Sequence, residues 1–192
     1  MPRDNQLYML AAFIIPIIFC ISCNKEVYAE KLSGKAHKDQ GSCEEAIKYF
    51  KEAIKADPNS TGSYEILGRC YLYLGNYDEA IKYFKEAIKA DPNSTGSYIG
   101  LGWVLHNYEG NDEEAIRCFK EAIKRSQKDS RSYAGLAWIY KDQGKYEEAI
   151  KYFKEAIRVN PKDRASRGGL DWVYIEQKNY QEARKGLSNV KK

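Results

Sequence analysis

The chain has 192 residues, 30% of them charged and 43% hydrophobic, with sixteen Tyr, six Phe and three Trp. That aromatic load demands burial and excludes a disordered chain. The 31 basic and 27 acidic residues leave a net charge of +4, too mild to argue for nucleic acid without a localised basic stripe, and five Cys with two His disfavour a metal cage or a disulfide-stapled scaffold.

The first element is apolar. Leu7 to Ile21 reads LYMLAAFIIPIIFCI without a charge, after Arg3 and before Asn24, Lys25 and Glu26. Its length of about 15 residues suits a signal-peptide core and is short for a helix across a ~30 Å hydrocarbon layer. Pro16, in its middle, also weakens a spanning helix. Three fates are open. Ser22-Cys23 resembles the end of a bacterial lipoprotein box, with Cys23 the lipidated residue and Cys20 standing where that family prefers Leu. Val27-Tyr28-Ala29 fits ordinary signal cleavage after Ala29, and the third fate is an uncleaved N-terminal anchor. Residues 1–26 are thus expected to be a signal peptide or anchor. This predicts a membrane-associated protein of the cell envelope, or a secreted one if cleavage follows Ala29.

The remainder, 27–192, repeats itself. AIKYFKEAIKADPNS begins at Ala46 and again at Ala80, AIRCFKEAIKRSQKD at Ala115 and AIKYFKEAIRVNPKD at Ala149, with a weaker copy at Ala183. The offsets are 34, 35, 34 and 34 residues. A second periodic segment precedes each of the last four blocks, starting at Ser63, Ser97, Ser132 and Ser166. Two amphipathic segments per unit of this length predict an all-α solenoid of stacked antiparallel helix pairs, with repeats at 27–60, 61–94, 95–129, 130–163 and 164–192.

Local chemistry supports helices in both segments. Ala80, Ile81, Phe84, Ala87 and Ile88 fall on one apolar face, with Lys82, Lys85, Glu86 and Lys89 turned elsewhere. Asp57-Pro58, Asp91-Pro92 and Asn160-Pro161 stop the second helices, because the residue before Pro is pushed out of the helical region. Ser60, Ser94, Asp129 and Asp163 are placed to cap the next helix, and Gly41, Gly75, Gly110 and Gly144 to close the first helices. Repeat three carries one extra residue between Leu105 and Gly110, and Gln127 where Pro is expected. The last repeat is expected to end in a helix of its own, roughly Tyr180 to Val190.

Tyr64, Leu67, Gly68, Tyr71, Gly75, Tyr77, Ala80, Phe84, Ala87 and Pro92 form a pattern that resembles the tetratricopeptide repeat. Repeats three and four carry it through Tyr98, Leu101, Gly102, Ala115, Phe119 and Ala122, and through Tyr133, Leu136, Tyr140, Gly144, Tyr146, Ala149, Phe153, Ala156 and Pro161. The first helix of repeat one departs from it, with Glu30, Ser33 and His37 at expected apolar positions. The resemblance implies a right-handed superhelical solenoid of about five repeats.

No catalytic set is legible. Gly100, Gly102, Gly168 and Gly169 read as close-packing positions rather than a phosphate loop, and His37 and His106 fall in different repeats without metal-ligand spacing. Cys43, Cys70 and Cys118 read as free core thiols. Glu44-Glu45, Glu113-Glu114 and Glu147-Glu148 open second helices, where the macrodipole favours negative charge. The sequence therefore predicts no enzyme, no cofactor, no metal and no small-molecule substrate, and nucleic acid is disfavoured as a partner.

What remains is a surface. The family resemblance implies that first helices line a concave groove that grips a partner polypeptide. Carried over by position, the groove comprises Lys35, Arg69, Tyr73, Ile99, Trp103, His106, Trp138, Lys141, Trp172 and Ile175. The three Trp share one position in successive repeats, which makes them a stripe along the stack, while Lys35 and Arg69 favour an acidic flank of the ligand. Ile66 and Gly100 stand where the family's carboxylate clamp needs Asn, so no chaperone-tail clamp is expected. The predicted function is a non-enzymatic adaptor for a protein or peptide, tethered at a membrane. The alternative is a structural component of an envelope assembly, of the pilus or outer-membrane type, docking through its terminal repeat.

Overall fold

The computed structural model describes residues 40–190, with side chains at 41 and 43–178. The apolar N-terminal segment, Cys23 and Lys35 lie outside the described residues. Among the described residues the chain is all helical: α1 (Gln40–Ala56), α2 (Thr61–Tyr73), α3 (Tyr77–Ala90), α4 (Thr95–Val104), a π-helical turn at Leu105–Glu109, α5 (Asp112–Arg125), α6 (Ser130–Asp142), α7 (Tyr146–Val159) and α8 (Arg164–Val190). None of these helices is long and apolar enough to cross a membrane.

Three hairpins, α2/α3, α4/α5 and α6/α7, stack in order. Each second helix also packs on the next first helix, so α1 meets α2, α3 meets α4, α5 meets α6 and α7 meets α8. First helices touch first helices along one side, α2 with α4, α4 with α6 and α6 with α8. The assembly is a right-handed superhelical solenoid.

The core is built by one large ring per repeat. Phe84, Phe119 and Phe153 are fully buried, as are the small residues flanking them, Ala80, Ala87, Ala115, Ala122, Ala149 and Ala156. Each ring lies against a glycine of the next first helix, at Gly100, Gly135 and Gly169. A single hairpin cannot surround its phenylalanine, and the next repeat completes the enclosure. This is the physical reason stacking is obligatory.

Helix ends follow the turn chemistry with informative departures. α1, α3 and α7 stop at Ala56, Ala90 and Val159, ahead of the proline dipeptides. Gly75, Gly110 and Gly144 hold φ of +75°, +64° and +70°, the left-handed geometry that closes a first helix. Gly41 does not: it lies within α1. Asp129 accepts the Arg131 N–H at 3.0 Å, and Asp163 accepts the Ala165 and Ser166 N–H groups at 3.1 and 3.2 Å. Ser60 and Ser94 make no such bond, because their hydroxyls pair instead with the buried Ser63 and Ser97 hydroxyls at 2.8 and 2.7 Å.

Two elements deviate from the repeat. The extra residue of repeat three is absorbed by the π-helical turn, whose wider ring of backbone bonds accommodates one more residue before Gly110 restores the register. The expected hairpin of repeat five is not formed, and α8 runs unbroken through 27 residues. The cause is legible at Lys178, which occupies the place of Gly75, Gly110 and Gly144 and has a Cβ that disfavours the left-handed turn.

Candidate partner-binding surface

The three tryptophans that share one repeat position come from consecutive first helices. Trp103 of α4 and Trp138 of α6 are half-buried, each set edge-on to the phenylalanine of its own hairpin. The Trp103–Phe119 centroids are 5.4 Å apart at 76°, and those of Trp138–Phe153 are 5.3 Å apart at 89°. Each of these two indoles therefore covers a core ring with one edge. Repeat five has Leu187 in the sequence place of Phe84, Phe119 and Phe153, and Trp172 of α8 is 42% exposed. Tyr146 meets it edge-on at 6.5 Å.

Lys141 joins two of the tryptophans. Its ammonium lies 4.8 Å from the Trp138 ring and 4.7 Å from the Trp172 ring, a cation held between two π faces. It also pairs with Asp142 at 2.8 Å. The other Asp142 oxygen contacts His106 Nε2 at 3.2 Å, and His106 Nδ1 contacts Asp112 at 2.7 Å. The Gln143 amide donates to the second Asp112 oxygen at 2.9 Å. A continuous polar chain thus runs from repeat three through repeat four to the indole of repeat five. Burial alone would raise the Asp112 carboxyl. The bonds from Gln143 and His106, with the positive charge of Lys145, outweigh it and hold the carboxyl below its ordinary value.

Of the predicted groove residues, Trp138, Lys141 and Trp172 are brought into direct contact, His106 is linked to them through Asp142, and Trp103 lies 6.4 Å from His106. Ile175, 60% exposed, follows Trp172 by three positions on the same side of α8. Tyr73, 52% exposed, and Arg69 belong to α2, away from this cluster. Ile99 is only 4% exposed and contributes to the core instead, so it does not line an open groove. Sequence reading missed Asp112 and Gln143. They lie six residues from His106 and 31 residues from Asp112 respectively, and no spacing rule joins them.

Three family models described as tetratricopeptide repeat match residues 32–95, 71–139 and 130–163, an unbroken run. The chain belongs to the tetratricopeptide-repeat family. No curated protein matches it in sequence. Among solved structures, MamA is 26% identical with a TM-score of 0.65, over 79% of this chain and 87% of that one. The pilF protein of Pseudomonas aeruginosa is 20% identical with a TM-score of 0.71, over 84% of this chain and 72% of that one. YrrB, described as a TPR protein with an unusual peptide-binding site, is 20% identical with a TM-score of 0.61, over 84% and 80%. The last two likenesses concern the fold alone. Within this tetratricopeptide array the indole–ammonium–indole cluster is confined to repeats four and five, where the repeat pattern begins to lapse.

Proposed function

We propose that the protein is a non-enzymatic adaptor that binds a partner polypeptide along the side lined by its first helices, and that residues 1–26 hold it at a membrane surface. The observation that carries the binding reading is Trp172, an indole left 42% exposed beside Trp138, Lys141 and the exposed Ile175. A large aromatic side chain that is pre-positioned and only partly desolvated has much free energy to gain from a partner. Membership of the tetratricopeptide family and a structural likeness to a peptide-binding member agree with this reading.

The test is capture of partners from native membranes with the full chain and with Trp172→Ala. The variant is expected to weaken binding by ~2 kcal/mol, roughly thirty-fold in Kd, with helical content unchanged. A variant that captures the same partner equally well while melting lower would make Trp172 a structural residue. Docking through the terminal helix is the second reading, favoured by the exposure of Tyr174 and Ile175 on α8, and concentration-dependent sedimentation of the protein alone would support it.

A further inference from the structure

Cys43 on α1 and Cys70 on α2 are 0% and 1% exposed and belong to one core cluster. α1 packs on α2 at the boundary between repeats one and two, and the Cys43 thiol lies near enough to Cys70 to push it up. The repeat explains why they meet. Cys43 occupies the position of Tyr77 and Tyr146 at the start of a second helix, and Cys70 the position of Val104, Ile139 and Val173 in the following first helix. The equivalent pair further along, Tyr146 and Val173, also shares a core cluster. The fold brings these two positions together at successive boundaries, and at the first of them both are cysteine.

We propose that Cys43 and Cys70 are a disulfide-forming pair that staples α1 to α2 when the chain folds in the presence of a small disulfide such as oxidised glutathione. One thiolate attacks the donor disulfide, forming a mixed disulfide and releasing one donor thiol. The second thiolate then attacks the protein sulfur of that mixed disulfide, closing the Cys43–Cys70 bond and releasing the other donor thiol. Two protein thiols are oxidised and one donor disulfide is reduced to two thiols.

The timing follows from the packing. Burial, with the neighbouring Cys43 thiol, pushes Cys70 up to about 12, so the folded reduced protein presents almost no thiolate at neutral pH. Exchange therefore belongs to folding, before the core closes, and the finished bond is shielded from reductants. The location matters for a solenoid. A link closing the loop between residues 43 and 70 constrains the unfolded chain and adds to the packing of α1 on α2 at this boundary. This inference is independent of the proposed binding surface.

The experiment uses the full chain with Cys20, Cys23 and Cys118 changed to Ser, unfolded in reductant and refolded in a mixture of reduced and oxidised glutathione. The expected product has lost two hydrogens in mass, resists alkylation after denaturation, yields a linked Cys43–Cys70 peptide, and melts roughly 5 °C or more above the same chain carrying Cys43→Ser. Refolded, helical protein in which both cysteines still alkylate, or in which glutathione adducts persist in place of the internal bond, would overturn the proposal. If the triple variant fails to fold, peptide mapping of the refolded wild-type chain decides. A Cys43–Cys70 link supports the pair, and pairing of either residue with Cys20, Cys23 or Cys118 refutes it.

Discussion

Phe119 shows what a single residue is asked to do in this stack. Its ring is sandwiched between Gly102 of its own hairpin and Gly135 of the next, and a methyl group at Gly135 would lie 2.3 Å from it. Gly168, by contrast, has nothing within 4 Å of the same position. Two glycine-to-alanine changes therefore have opposite expected signs. Gly135→Ala forces the ring or the helix to move and costs about 1–3 kcal/mol, whereas Gly168→Ala removes backbone freedom on an exposed helix face and stabilises by about 0.5–1 kcal/mol. Urea midpoints of the two variants check this, and a stabilising Gly135→Ala would mean the ring has room to yield. The close-packing role of Gly100, Gly102 and Gly169 was legible from their place in helical patterns, whereas the same reading of Gly168 is corrected by the open space around it. The half-burial of Trp103 and Trp138 was not, because their cover comes from Phe119 and Phe153, sixteen and fifteen residues away on another helix.

Helices begin and end where the sequence punctuates them, and the exceptions are where punctuation is missing. The proline dipeptides and the three left-handed glycines set the ends of the central helices, and the 35-residue offset of repeat three announced an irregularity that the π-helical turn realises. Repeat five kept enough of the pattern to read as a hairpin, but a hairpin needs a turn, and Lys178 does not supply the left-handed residue. Asp171 reinforces this outcome: it stands exposed at the position where Gly68 and Gly102 admit their own phenylalanine. Lys178→Gly is expected to lower the local helix propensity by about 1 kcal/mol and to release the chain for a turn at that point. Amide hydrogen exchange across residues 176–181 should accelerate in the variant. Protection equal to the wild type would show that something other than the absent glycine keeps α8 continuous.

At the scale of the whole molecule, stability passes from repeat to repeat through contacts whose strength depends on charge. Asp112 ties the π-helical turn of repeat three to Gln143 at the end of α6, and Asp129 caps the start of α6 and pairs with Arg131. Burial alone would raise the Asp129 carboxyl as it would that of Asp112. The Arg131 guanidinium and backbone N–H outweigh it, so both carboxyls titrate below their ordinary range. A carboxyl whose folded value is depressed binds its proton more readily in the unfolded chain. Its stabilising contribution is therefore complete above about pH 4 and is lost as pH falls through the lower folded value. Protonating the 27 acidic residues also leaves the 31 basic ones unopposed, which adds repulsion along the stack in the same direction. Melting midpoints are expected to hold down to about pH 5 and to fall steeply below about pH 4. Asp112→Asn keeps the shape and removes the charge, so it should melt below the wild type at neutral pH, with the gap closing as the wild-type carboxyl itself becomes protonated. A gap that stays the same width at pH 3 would show that Asp112 supports the junction through geometry rather than through its charge.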